Sequence, residues 1–477
     1  MTRTPARTAP AHRLSRPSSD PDVAGTIAAL ATQLGLAELP IRIRAWDGSE
    51  AGPPDGPALV LRSPLALRRL LWHPGELGLA QAYITGDLDV DGDLDEGLRQ
   101  AWLAATSAPA VPAGPAASAA ADLAATPGPT TTDPTATTEP SAPKTPSDTS
   151  VTDTPHVPGG RPVRLPAAAW AALRAAARLR AIGLPLPAPA SQLKVSGRRH
   201  SKARDRAVIA GHYDLPSEFY QLILDPRMAY SSGYWTSADP GYTLADAQRD
   251  KLELICTKLD LAPGARLLDI GCGWGSLSLY AAQEHQVRVT AVTLSAQQGA
   301  FVAGRVRDLG LESLVDVQVR DYRDITGAGY DAIASVEMGE HVGAEQYPRF
   351  SAALHDHVRP GGRVLIQQMS RSGRAPGGGP FIESYIAPDM HMRPLGETIN
   401  LLERAGLEVQ GAQALREHYV RTIRAWQVNF AAHGTEIAGW LTPEQIRVWR
   451  LYLAGGALAF EQGRMGVDQI LASRPTH

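Results

Sequence analysis

The pattern of apolar and polar positions divides the chain into stretches of different period. From Asp205 to the C-terminus, short apolar runs of strand length alternate with stretches of helical period. The runs at 266–270, 288–294, 315–319, 331–336 and 363–369 predict strands with helices between them. That alternation predicts an α/β fold, a doubly wound, mainly parallel sheet with ligands at the carboxyl ends of its strands. Two interruptions, 205–250 before the sheet and 371–396 late in it, are expected to build a substrate pocket.

The N-terminal part reads differently. Val23 to Leu36 and Pro64 to Leu71 carry helical periods, and Ile41–Arg44 and Ala58–Leu61 read as strands. Residues 77–103 then predict a helix, a turn and a second helix, so 22–103 is expected to form a small α+β domain. Asp87, Asp89, Asp91, Asp93 and Asp95 open like a calcium loop, but Gln100 and Ala101 stand where its closing Glu belongs. A solvated turn is the expectation. Residues 1–21 read as a disordered tail. Residues 104–162 hold Ala, Pro, Thr and Ser with almost no large apolar side chain, and predict a disordered linker. Residues 163–204 begin with a helix among whose Ala and Leu sit Arg174, Arg178 and Arg180, and end in a basic run from Lys194 to Arg204. Such a segment suits an anionic membrane surface, or else a docking helix with a solvated basic face.

Within the C-terminal domain, residues 264–299 carry the first chemistry. The strand ending Leu268-Asp269-Ile270 runs into Gly271, Gly273 and Gly275, and a helix and a second strand follow. Glycines there let a ligand lie against the main chain. A dinucleotide site wants an acid at the end of the second strand, and this strand ends Thr293-Leu294-Ser295. Asp269 before the first glycine and Trp274 inside the turn fit a loop for S-adenosylmethionine instead.

Composition narrows the function classes. A length of 477 residues allows two or three domains, and a net charge of -3 gives no basic field for nucleic acid. The two cysteines, Cys256 and Cys272, make no disulfide framework and suit a reducing compartment. No apolar run is long enough to span a membrane, and the Arg-rich start lacks the apolar core of a signal peptide. A cytoplasmic protein without a metal site is expected.

Several stretches together resemble the cyclopropane-fatty-acyl-phospholipid synthases and their mycolic-acid-modifying relatives. They are GHYDLPSEFYQLILDPRMAYSSGYW, LLDIGCGWGSLSLYAA, AVTLSAQQ, VRDYRDI, SVEMGEHVG, FIESYIAPD, HYVRTIRAWQVNF and YLAGGALAFEQGRMGVDQ. The likeness covers 205–477, and AYITGDLDVDGDLD extends it weakly to the N-terminal part. It implies a Rossmann-like class I methyltransferase fold. The implied reaction is methylation of a cis double bond in a membrane phospholipid acyl chain, with S-adenosylmethionine as cofactor. The enzyme would work at the inner face of the membrane as a peripheral protein, and a homodimer is compatible with the family. The resemblance assigns Tyr230, Ser231, Gly271, Gly273, Thr293, Gln298, Tyr322 and Arg323 to the cofactor. Glu340 and Tyr419 match groups that hold a bicarbonate ion, the base of that reaction. Two further positions depart from the pattern: Ser232 stands where Cys is usual, and Gln367 where His is often found.

The chemistry explains these residue types. An alkene is a poor nucleophile and needs the methyl donor held in line. The resulting carbocation needs electron-rich faces, for which Tyr230, Tyr234, Trp235, Tyr385 and Tyr419 are candidates. A base, Glu340 or a bicarbonate oriented by it, must then take a proton. Proton loss gives a cyclopropane ring, whereas a prior hydride shift gives a mid-chain methylene or methyl branch. A small-molecule methyltransferase and a non-catalytic lipid-binding domain are the competing readings.

Overall fold

The computed structural model describes residues 22–33, 39–107, 174–213, 215–372 and 377–476. The expected tail, nearly all of the expected linker and the first part of the basic helix lie outside the described residues. Two sheets organise the rest. The first is four-stranded, in the order β2-β1-β3-β4, with β1 Arg42–Arg44, β2 Glu50–Ala51, β3 Ala58–Leu61 and β4 Leu88–Asp91. The second is seven-stranded, in the order β10-β11-β9-β8-β5-β6-β7. Its strands are β5 Arg266–Ile270, β6 Arg288–Thr293, β7 Val315–Val319, β8 Tyr330–Val336, β9 Val358–Ser370, β10 Glu408–Ala414 and β11 Gly466–Ser473. The order reverses between β5 and β8, which is where a doubly wound sheet opens a crevice. β11 runs antiparallel to β9 and β10, and the other neighbouring pairs are parallel.

Helices cover both faces of this sheet. The helix Leu244–Leu259 starts on a capping box, Thr243 with Asp246, and stops where Asp260 takes a left-handed φ of 55°. Its buried positions, among them Leu244, Gln248, Lys251, Leu252, Ile255 and Leu259, follow the helical period and place two polar groups on the core face. Leu252, Ile255 and Leu267 are fully buried, each contributing about 1.5–3 kcal/mol.

The acidic stretch expected to be a turn contains β4, paired antiparallel with β3. Alternating Asp and apolar residues fit a half-buried strand, and arginines neutralise the acids: Asp89 pairs with Arg62 and Arg447, Asp91 with Arg44, and Asp95 with Arg424. Arg447 and Arg424 belong to the C-terminal part, so these pairs also join the two sheets' units. An apolar contact of Ala80 and Ile84 with Phe381, Tyr385 and Val448 closes the same seam. In the basic segment the helix ends at Arg178, before Gly183, because Arg180 turns left-handed at φ 53°. Much of the positive run that follows is paired: Arg199 and Arg204 with Asp389, and Lys202 with Asp324.

Candidate active site

One cavity opens at the carboxyl ends of β5, β6 and β8. Tyr230, Ser231, Asp269, Gly271, Gly273, Thr293, Gln298, Tyr322 and Arg323 all line it, as do Lys251, Asp321 and Glu337. After β5 the chain turns through Gly271 and Gly273 at φ 81° and 53°, with Gly271 N–H and Cys272 N–H donating to the Val292 carbonyl at 2.9 Å. A Cβ at Gly271 would meet Met338 at 2.9 Å, whereas a Cβ at Gly273 would meet only open space. The turn thus leaves main chain exposed to a ligand, which fits the cofactor loop.

Asp269 is 1% exposed and accepts from Ser278 Oγ at 2.7 Å. Burial lifts its pKa to about 6, against the hydrogen bond from Ser278 and the charge of Lys251. At the end of β6, Thr293 Oγ1 donates to Gln298 Oε1 at 2.8 Å, and Ser295 Oγ accepts from Gln298 N–H. Gln298 therefore keeps its amide N–H groups for the cavity it lines. After β7, Asp321 accepts from Arg323 Nε at 2.7 Å and from its Nη2 at 2.6 Å. Asp205 takes a further bond from Arg323 Nη2 at 2.7 Å. That guanidinium is a brace for the loop, and Asp321, which it steadies, was missed in the sequence.

The second half of the site gathers around Glu337. This residue follows β8 at φ 50°, a left-handed conformation that a non-glycine residue adopts only under constraint. Its Oε1 accepts from Ser232 N–H at 2.9 Å and from Gln367 Nε2 at 2.8 Å. Its Oε2 accepts from Tyr419 Oη at 2.7 Å. Ser232, Gln367 and Tyr419 thus come together as expected, but on Glu337 and not on Glu340. Glu340 is buried in a short 3-10 turn, its Oε2 meets no donor, and its carbonyl holds His391 N–H at 2.7 Å. Burial, then the neighbouring charge of Glu337, pushes its pKa to about 8. Two glutamates three positions apart look equivalent in SVEMGEHVG; only the left-handed turn decides which one enters the ring.

Lys251 was also missed. It is 1% exposed, donates to Ser231 Oγ at 3.0 Å and lies within the field of Glu337, Asp225 and Asp269. Its signal was a lysine on the core face of an amphipathic helix. Burial holds its pKa below the usual lysine value, with Glu337 the first group opposing. On Glu337 burial acts upward, opposed by the Ser232 N–H, Tyr419, Gln367 and Lys251.

Aromatic rings pack behind Tyr230 and Trp274, which line the cavity, and around Tyr419. Tyr230 lies 5.3 Å from Trp426 and 5.8 Å from Tyr220, and Tyr419 lies 4.6 Å from Phe460. Trp274 packs on Tyr220 and Phe301. Of the other aromatic candidates, Tyr234 sits against His418 and Trp235 under Arg421. Tyr385 is part of the seam with the N-terminal unit.

A seven-stranded sheet with one reversed strand, a glycine turn after its first strand and a cavity over that turn define a class I methyltransferase that uses S-adenosylmethionine. The chain belongs to the mycolic acid cyclopropane synthetase family, whose model matches residues 200–470. A probable fatty acid methyltransferase of Mycobacterium tuberculosis is 33% identical over 450 residues, 91% of each chain. The cyclopropane-fatty-acyl-phospholipid synthase of Escherichia coli is 34% identical over 286 residues, 59% of this chain and 72% of that one. Among solved structures, mycolic acid cyclopropane synthase CmaA1 complexed with SAH and CTAB superimposes with a TM-score of 0.53 at 28% identity, covering 56% of this chain and 98% of that one. The protein is therefore an S-adenosylmethionine-dependent methyltransferase of a lipid-modifying family. Among the described residues, no helix is long and apolar enough to cross a membrane.

Proposed function

We propose that this enzyme adds one carbon to the cis double bond of an unsaturated acyl chain in a membrane phospholipid, with Glu337 as the base. The observation that carries this reading is the Glu337 carboxylate, held by three donors in the same cavity as the glycine turn. S-adenosylmethionine supplies an electrophilic methyl group when bound. Gly271, Gly273, Gln298, Thr293, Tyr230 and Ser231 would hold it. The alkylated alkene is a carbocation, and the faces of Tyr230 and Tyr419, backed by Trp426, stabilise it by about 0.5–2 kcal/mol each without trapping it. Glu337 then accepts a proton from the added methyl group, and the freed C–H electron pair closes a cyclopropane ring. The donors that the family resemblance reserves for bicarbonate, Ser232, Gln367 and Tyr419, are already bonded to a carboxylate of the chain itself. Turnover is accordingly expected without added bicarbonate.

A second outcome has its own support. The Mycobacterium tuberculosis relative that matches over most of both chains is described as a probable fatty acid methyltransferase. A hydride shift before proton loss would give a mid-chain methylene group from the same cation. Expression in a bacterium lacking such an enzyme, followed by proton NMR of its fatty acids, separates ring from methylene. Fatty acids unchanged in mass, with methylation of a soluble acceptor instead, would overturn the lipid reading.

The lipid reading also needs a surface. Leu71, Trp72, Ile182 and Leu184 are 53%, 47%, 46% and 83% exposed. They adjoin, because Trp72 Nε1 donates to the Gly183 carbonyl at 3.0 Å and Arg68 Nη2 to that of Ile182 at 3.2 Å. Arg174, Arg178 and Arg180 are exposed on the same segment. An apolar knob beside cations suits an anionic bilayer. Leu71→Glu with Leu184→Glu should weaken sedimentation with phosphatidylglycerol vesicles at least about tenfold, since burying each leucine is worth about 1.5–3 kcal/mol. Undiminished binding would place the membrane contact elsewhere.

A further inference from the structure

A row of glutamines crosses three strands beneath the site. Gln413 on β10 faces Gln469 on β11, and Gln469 faces Gln367 on β9. Gln469 and Gln367 are 1% and 0% exposed. At one end, Lys258 Nζ donates to Gln413 Oε1 at 2.6 Å and to Gln469 Oε1 at 2.7 Å. Gln469 Nε2 donates to Gln367 Oε1 at 2.9 Å, and Gln367 Nε2 donates to Glu337 Oε1 at 2.8 Å. Every bond from Lys258 to Glu337 points the same way.

That common direction has a cause. An ammonium group donates and never accepts, so it fixes the oxygen end of Gln469 toward itself. The nitrogen of Gln469 must then face Gln367, whose own nitrogen is left for Glu337. Hydrogen bonds aligned in this way polarise one another. Without the cation each amide has two orientations, and one of them sets the Gln367 oxygen against the carboxylate. A sheet interior gains nothing from buried amides that apolar side chains would not supply at lower cost.

We propose that Lys258, acting through Gln469, is a positioning residue that holds the Gln367 amide as a donor and so fixes the Glu337 carboxylate for proton abstraction. The proposal rests on the reading of Glu337 as the base. Burial lowers the pKa of Lys258 to about 8, so above that pH its neutral amine accepts as well as donates and releases the polarity of the row. Donors to a carboxylate favour its ionised form, so their loss raises its pKa and moves the acid limb of turnover to higher pH.

The test is the pH dependence of kcat in the full chain on phospholipid vesicles, with thermal melts to confirm folding. Lys258→Met and Gln469→Met are each expected to lower kcat at the optimum about tenfold, as a misplaced reacting group does. Each should raise the acid limb by about one pH unit, and the double variant should do no more than either alone. Lys258→Arg should keep the wild-type acid limb and lose the decline above about pH 8. Gln413→Met, which removes a partner of Lys258 off the path to Glu337, should leave the acid limb in place. An unmoved acid limb in both Lys258→Met and Gln469→Met, while Glu337→Gln is inactive, overturns the positioning role and spares the base. A Glu337→Gln enzyme with normal turnover overturns the base, and this proposal with it.

Discussion

Glu337→Gln should bind S-adenosylmethionine with wild-type affinity and turn over at least a hundredfold more slowly. The amide is isosteric and its oxygen can still accept from Ser232 N–H or Tyr419 Oη, so the ring of donors keeps its shape. What is lost is a site for a proton, and a positioned base contributes about a hundredfold or more. Glu340→Gln is the matched control, because that carboxyl is buried three positions away and meets no donor at Oε2. Its pKa of about 8 already keeps it largely protonated at neutral pH, so an amide there changes little. A loss of less than tenfold is expected for it. The reverse order of effects, or restoration of the Glu337→Gln enzyme by added bicarbonate, would return the base to an external anion.

Gly273→Val should abolish cofactor binding while leaving the domain folded. A left-handed φ of 53° is strained for any L-residue by about 1–2 kcal/mol and more so for a β-branched one. The added Cβ would nevertheless meet no other atom within 4 Å. Gly273 lines the cavity proposed for the cofactor. Calorimetry should therefore show affinity for S-adenosylmethionine reduced at least about a hundredfold, or about 2.7 kcal/mol. The melting temperature should fall by only a few degrees. Tight binding in this variant would mean that the cofactor does not approach the main chain at Gly273.

Of the strands from β5 to β9, the inner ones were legible as apolar runs buried on both faces, the pattern of a parallel sheet, and the edge strand β7, VDVQV, by the alternation of its valines with polar residues. β10 and β11 were not. β10, EVQGAQA, is a mostly exposed edge strand with a bulge between Val409 and Gly411. In β11, Asp468 and Gln469 interrupt the apolar run although both are buried. The glutamine row accounts for Gln469, and a bond from Ser370 Oγ at 2.6 Å accounts for Asp468, so polar residues there answer to one another and not to solvent. The positions that the family resemblance assigned to the cofactor, with the glycine turn read from the residues themselves, line one cavity. Which carboxylate Ser232, Gln367 and Tyr419 hold was not legible, because choosing between Glu337 and Glu340 requires a backbone angle. Lys251 and Lys258 were invisible for a related reason: a lysine in an amphipathic helix reads as surface until its partners are known.

The left-handed backbone at position 337 also sets the enzyme's evolutionary footing. Holding a glutamate there costs about 1–3 kcal/mol, and glycine would relieve most of it. Selection for heat tolerance alone would therefore favour glycine at 337, and the resulting proteins would gain melting temperature while emptying the ring of Ser232, Gln367 and Tyr419. Such a chain would have room for a small carboxylate or carbonate from solution. If Glu337 is the base, as proposed above, one codon separates a methyltransferase that carries its own base from one that must borrow it.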